Sequence, residues 1–350
     1  MINMILIGFL YHRKDPRTLK KAYYYAQAAK EEGAEFLYFS PNCVDFQSRT
    51  INGYVYDDIV DDWVKVNRRF PDVIYNIGSP QKLSRSQTIV DQLRAEIPFT
   101  SHSVGNKITV YRRLEKTGVF KKYVIPTQIV SSPQDIFDFL NRYSKLVFKP
   151  TNGHRGDGVT FIERSANQYL VQTEDESHLY TQKQFAQFIY QRLQRSHYLV
   201  QPYINSRTKD GHAYDLRLHV QKNGEARWVI ATMYAKISPS ESIVTNGHRG
   251  GICIPINQFL KHEFSDSYDE MKKTLDDFAL HLARHLDDIQ IKNHSHPLDE
   301  LGIDVGIDQN NKIWLYEVNW LPGMPRDYYG KIGVERNQIR YAIFLANQKN

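Results

Sequence analysis

Two separated stretches decide how this chain is read. One is Phe148-Lys149-Pro150-Thr151-Asn152-Gly153-His154-Arg155-Gly156-Asp157-Gly158-Val159; the other begins at Leu301-Gly302-Ile303-Asp304 and ends at Trp314-Leu315-Tyr316-Glu317-Val318-Asn319. The first is an apolar strand that ends in a lysine and runs into a glycine-rich loop. Glycine lets backbone N–H groups approach an anion closely, and successive amides form a cradle for it. The second is a hairpin turning at Asp308-Gln309-Asn310-Asn311. Glu317 and Asn319 lie two apart on a strand and so share a face. Asp304, on the preceding strand, can meet them across the hairpin. Two carboxylates and an amide oxygen suit Mg2+ or Mn2+ and not zinc, which prefers nitrogen and sulfur. In isolation, Lys149 reads equally as a surface lysine beside a tight turn, and the acidic hairpin as an ordinary polar face. Taken together they predict a triphosphate site built from two distant segments, hence a chain that consumes ATP.

Composition is consistent with that expectation and excludes others. The chain has 350 residues, 41% apolar and 24% charged, with 23 tyrosines and 17 phenylalanines as core material. That is the profile of a folded globular protein of two or three packed units. The formal net charge of +6 suits anionic ligands. No basic run exceeds two or three residues, so nucleic acid is not expected as a partner. No run of 18 apolar residues occurs, so no membrane span is expected. Met1 to Leu10 is apolar but lacks a basic flank and a small-residue cleavage site, and reads as a buried first strand. Cys43 and Cys253 read as two free thiols in a reducing, cytoplasmic setting. The thirteen histidines show no metal-ligand spacing, and no Gly-x-Ser-x-Gly marks a serine nucleophile.

Periodicity predicts an α/β chain in three units: an N-terminal open α/β domain over 1–101, a lobe carrying the glycine loop over 102–195, and a lobe carrying the acidic hairpin over 196–350. Strands are expected at Met4–Leu10, Glu35–Ser40 and Asp72–Ile77, with a helix opened by Asp15-Pro16 and closed by Gly33. In the second unit a short helix follows Asn106-Lys107 and ends at Gly118, and Ser131-Ser132-Pro133 opens another. A strand pair brackets the glycine loop, and a helix opens at Thr181. In the third, Tyr198–Ile204 is a strand, Asn223-Gly224 marks a hairpin turn, and Met271, Leu275, Phe278, Leu282 and Leu286 mark a helix over Ser267–Asp288. Asp215-Leu216-Arg217 alternates on a strand, where Arg217 can bind an anion bidentately. The hexapeptide Thr-Asn-Gly-His-Arg-Gly occurs twice, from Thr151 and from Thr245, suggesting two anion-facing turns.

The order of these motifs resembles the ATP-grasp superfamily over about Asn106 to Gly323, with 1–101 compatible with its N-terminal domain. The wording Phe-Lys-Pro-Thr-Asn-Gly, Leu-Gly-Ile-Asp-Val-Gly-Ile-Asp and Glu-Val-Asn-Trp-Leu-Pro-Gly is most similar to the YheC/YheD-like branch of spore-forming bacteria, described as endospore coat-associated. The resemblance implies an α+β ATP-grasp fold whose two lobes enclose the nucleotide. It implies that Lys107 and Lys149 contact phosphate, and that Asn152, Gly153, Arg155, Gly156, Gly158 and Val159 close over it. Gln201, Pro202, Tyr203 and Ile204 become the hinge strand at the adenine edge, with glutamine where many members carry glutamate. Arg217, Lys236 and Arg249 become the catalytic cations near the γ-phosphate, and Asp304, Glu317 and Asn319 the Mg2+ (or Mn2+) ligands. The implied activity is ligation of a small-molecule or peptide carboxylate through an acyl phosphate, with spore coat proteins as further partners. A kinase on the same scaffold and a non-catalytic nucleotide-binding coat protein are the alternatives.

Overall fold

The computed structural model describes residues 4–78, 80–151, 158–173, 176–238, 251–294, 296–331 and 333–348. Three sheets carry the architecture. The first contains β1 (Leu6–Leu10), β2 (Glu35–Phe39), β3 (Val44–Asp45), β4 (Thr50–Asp57), β5 (Asp62–Arg69) and β6 (Val73–Asn76), in the order β3-β4-β2-β1-β6 with β5 on β4. Every residue of β1 and β6 is buried, as strands covered on both faces require. The two pair in parallel, as do β1 and β2. Helix α1 (Lys20–Glu31) lies on one face, and α2 (Pro80–Leu83) and α3 (Gln87–Glu96) follow β6, with α3 packing on the other. The helix expected from Asp15 is two pieces. Asp15 accepts from the Arg17 N–H at 2.9 Å to start a 3₁₀ turn at Pro16–Thr18, and the extended Leu19 separates that turn from α1. The β4–β5 hairpin is not visible in the pattern, because its outward residues are half-exposed and only Ile51, Gly53 and Trp63 are buried.

The second sheet is antiparallel: β7 (Gln128–Val130), β8 (Lys145–Pro150), β9 (Thr160–Ser165), β10 (Gln168–Gln172), β11 (Ser177–Thr181) and β12 (Tyr198–Pro202), in the order β11-β10-β9-β8-β12-β7. Strict alternation on β8 sends Leu146 and Phe148 into a core with Phe139 and Phe185, leaving Lys145, Val147 and Lys149 on the opposite face. The covering helices are α5 (Pro133–Arg142) and α6 (Gln182–Leu193); Ser132 with Asp135 and Thr181 with Gln184 form capping boxes at their starts. Helix α4 (Lys107–Thr117) precedes this sheet in sequence. Asn106 caps it, accepting from the Thr109 N–H at 2.9 Å, and Gly118 ends it at φ 75°.

The third sheet, also antiparallel, orders β13 (Tyr214–Lys222), β14 (Trp228–Ile237), β15 (Ile252–Pro255), β16 (Glu300–Ile307) and β17 (Ile313–Asn319) as β15-β14-β13-β16-β17. Helices α7 (Ile256–Phe264) and α8 (Tyr268–His294), together with α4, cover its apolar face. Leu216, Leu218, Val220, Leu301, Ile303, Val305 and Leu315 point into that core at 0% exposure. Asp215, Arg217, His219, Gly302, Asp304 and Glu317 therefore share the other face. Asn223-Gly224 does not make a two-residue turn: Lys222 pairs with Trp228, and the loop between them is held by Asn223 Oδ1 accepting from the Glu225 and Arg227 N–H groups. The left-handed residue there is Ala226, at φ 56°. The last helix, α9 (Val334–Gln348), returns to the first sheet, where Ile339, Ala342 and Ala346 join the core under α1.

Candidate active site

The uncovered faces of the second and third sheets meet at a charged cluster. Register builds its acidic half. Asp304 lies opposite Glu317 on β17 and opposite Arg217 on β13, while Gly302 lies opposite Asn319. Arg217 clamps Asp304 with Nε to Oδ1 at 2.6 Å and Nη2 to Oδ2 at 2.9 Å. Lys236 Nζ sits 2.9 Å from Asp304 Oδ1 and 2.9 Å from Asp215 Oδ1. Burial alone would raise the Asp304 carboxyl; the Arg217 and Lys236 charges and hydrogen bonds override it and hold the group well below the carboxylate range. The same pairs raise Arg217 and Lys236 against the opposing effect of burial. These groups are fully charged at neutral pH. Asn319 Nδ2 donates to Asp304 Oδ2 at 3.2 Å and to Glu317 Oε1 at 2.8 Å. Its N–H2 group, not its oxygen, faces the carboxylates, and a half-turn of the amide exchanges the two.

The basic half comes from two other elements. Lys107, the first residue of α4, reaches Glu317 Oε2 at 3.1 Å. Lys149, at the end of β8, places its ammonium against that of Lys107, with Glu317 as the nearby carboxylate. Burial, then the Lys107 charge, push Lys149 well below the ordinary lysine range. The side chains of Lys107, Lys149, Arg217 and Lys236 thus gather beside three carboxylates, Asp215, Asp304 and Glu317. Glu317, 39% exposed, is the open carboxylate of the cluster.

Gln201 and Pro202 end β12, and Tyr203 and Ile204 follow it. Gln201 is buried and donates from Nε2 to Thr127 Oγ1 at 2.7 Å, so its side chain is structural. The Tyr203 N–H is taken by the Lys145 carbonyl at 2.9 Å. Pro202 and Tyr203 line one wall of a cleft of about 940 Å³ that also touches Phe161, Glu163, Asn205 and Arg207. Gly158 sits at φ 73°, where a Cβ would lie 3.0 Å from Pro150 Cγ, and Val159 leads into β9. Asn152, Gly153, Arg155, Gly156 and Arg249 lie outside the described residues, as does most of both copies of the hexapeptide.

Several residues of the site escape sequence reasoning. Arg217 Nη1 and the Tyr234 hydroxyl both donate to the Gly323 carbonyl, each at 3.3 Å. A β-bulge separates the Asp304–Glu317 and Val305–Leu315 pairs, so Tyr316 is the extra residue. Its ring lies over Gly306, where a Cβ would sit 2.1 Å from the phenol oxygen. The Tyr111 hydroxyl braces the bulge by donating to the Leu315 and Tyr316 carbonyls at 2.7 and 2.9 Å. The glycines at 302 and 306 are the signal that was available, since glycine inside a strand marks a close approach.

Residues 96–345 match the family described as YheC/D like ATP-grasp. Two endospore coat-associated proteins of Bacillus subtilis (strain 168) are similar. YheD is 25% identical over 91% of this chain and 72% of its own, and YheC is 24% identical over 91% and 89%. Among solved structures, the ATP-grasp ligase PsnB complexed with minimal precursor superposes at a TM-score of 0.57 with 11% identity, covering 98% of this chain and 100% of PsnB. PsnB complexed with a phosphomimetic variant of that precursor, Mg and ADP gives 0.53 at 11% identity and full coverage of both chains. The fold, the ordered motifs and the family match agree: the chain belongs to the YheC/D like ATP-grasp family.

Proposed function

We propose that this protein is an ADP-forming, ATP-dependent ligase that activates a carboxylate as its acyl phosphate and passes the acyl group to an amine or related nucleophile. One observation carries the reading: Lys107 and Lys149, from two different elements, converge beside a single carboxylate, that of Glu317. Two adjacent ammonium groups repel one another unless an anion lies between them, and a triphosphate supplies it. Asp304, Glu317 and, after a half-turn of its amide, Asn319 would offer an oxygen set that fits Mg2+, and PsnB has been captured with Mg and ADP. Bound there, the ion would offset charge on the phosphate oxygens.

This chain's own residues would do the rest by position and charge. Lys107 and Lys149 hold the phosphates. Arg217 and Lys236, already fixed by Asp304 and Asp215, aim two permanent cations at the place where negative charge develops during transfer. Arg249 would add a third. Gln201 to Ile204 and the neighbouring cleft would take the base. No side-chain nucleophile is needed, because orientation and charge offset supply the acceleration. The acceptor is read as a small-molecule or peptide carboxylate, in keeping with the precursors bound to PsnB, and a role in the spore coat follows only from the names of YheC and YheD. The test is an ADP-release screen against pooled amino acids, short peptides and coat-derived carboxylates, with mass analysis of hits. A condensed product with loss of phosphate is expected. A product that stays phosphorylated makes the protein a kinase, and nucleotide binding without ADP release makes it a scaffold.

A further inference from the structure

A second buried polar cluster lies away from the phosphate-binding lysines, where the first sheet meets the third. Its hub is Glu300, at the start of β16 and 3% exposed. Glu300 Oε1 accepts from the Tyr75 hydroxyl on β6 at 2.9 Å, and Oε2 faces His219 Nε2 at 3.2 Å and Gln221 Nε2 at 3.3 Å, both on β13. Tyr25 on α1 extends the chain, its hydroxyl 3.2 Å from that of Tyr75. Lys21 on α1 adds positive charge from the same side. Next door, Asp299 Oδ2 accepts from Ser101 Oγ at 2.9 Å, in the segment that leaves the N-terminal domain. The enclosed space beside Glu300, walled by Lys21, Tyr75, His219 and Pro322, is about 10 Å³. That is room for one water and excludes a substrate, so the cluster is not a ligand pocket.

We propose that Glu300 is the hub of an interdomain latch that registers the N-terminal domain directly on the two strands carrying Arg217 and Asp304. A buried carboxylate costs several kcal/mol unless its oxygens are bonded, and here one of the bonds exists only when β6 is docked. The Glu300 carboxylate is bonded on both oxygens, while His219 Nδ1 and Gln221 Oε1 have no hydrogen-bond partner among the described residues; a buried bonded carboxylate favours one arrangement over its neighbours, which apolar contact alone does less well. Placement makes this consequential. His219 is two residues beyond Arg217 on the same face of β13, and Glu300 is four before Asp304 on β16. Pro322, which walls the cluster, adjoins Gly323, whose carbonyl holds Arg217. Tilting the first sheet would therefore be felt at the charged cluster through two strands and one loop.

The experiment compares the wild type with Tyr75→Phe, which removes one hydroxyl at nearly constant volume, and with Glu300→Gln. Each carries spin labels at Ile59→Cys and Val119→Cys, exposed positions on the two bodies, with Cys43 and Cys253 changed to serine. The wild type should give one narrow inter-label distance distribution and a single calorimetric transition. Both variants should broaden the distribution and bring forward a separate first transition by roughly 5 °C or more. Unchanged distances with a single unshifted transition in Tyr75→Phe and Glu300→Gln would overturn the latch. Failure of the wild type to bind nucleotide would instead overturn the ligase reading and leave the latch standing.

Discussion

Lys149 shows most sharply how a residue can be kept against the interest of the fold. Its ammonium is desolvated and lies against that of Lys107, so in the absence of phosphate it is a liability. Lys149→Met is therefore predicted to leave the melting temperature unchanged or raise it while weakening Mg·ATP binding at least about tenfold, the trade expected of a binding residue. Differential scanning fluorimetry with and without nucleotide reads both. Asp304 is the opposite case. Removing its carboxylate strands Arg217 and Lys236, both mostly buried, and Asp304→Ala should cost about 3–5 kcal/mol in denaturant unfolding as well as activity. Glu317→Ala removes a half-exposed acid and should abolish turnover with the fold intact. That Glu317 and Asn319 share a face was legible because alternation along a strand fixes which side chains point the same way. The clamp between Arg217 and Asp304 was not, because the two are 87 residues apart and only sheet register brings them together.

Elements supply the precision that single residues cannot. Along β16 the two glycines work as spaces: a Cβ at Gly302 would lie 2.5 Å from Pro322 Cβ and 3.0 Å from Arg217 Nη1. Gly302→Ala must push the Leu321–Gly323 segment or the guanidinium aside. It should destabilise by about 1–3 kcal/mol and lower activity more than stability predicts, which steady-state kinetics beside chemical unfolding would show. Caps and hydrophobic periodicity made α4, α5, α6 and α8 readable in advance, since Asn106, Ser132 and Thr181 act on their own local backbone. The β4–β5 hairpin and the loop after Lys222 were not readable. In the hairpin few residues are buried, and in the loop the side chain of Asn223 organises a wider turn than Asn-Gly normally makes.

Across the whole molecule, stability is tied to the seam between the first sheet and the rest. His102, leaving the first sheet, stacks on His296 with ring centroids 4.6 Å apart and planes 6° from parallel. Burial, then the charges of His296 and of Arg94 on α3, lower His102 to about 4. A folded value below the unfolded one means the unfolded chain binds the extra proton. The stabilisation is therefore complete above about pH 6.5 and lost as the pH falls toward 4. Unfolding free energy should drop by about 2 kcal/mol over that range after allowance for partial exposure, and His102→Gln should flatten the profile. The central claim is that two lysines from separate elements and an acidic hairpin bind one Mg·ATP. Calorimetric titration of Mg·AMPPNP into the wild type and Lys149→Met tests it most directly. The account predicts saturable one-to-one binding by the wild type and binding at least about tenfold weaker by the variant. No binding by the wild type, or equal affinity in both, would contradict it.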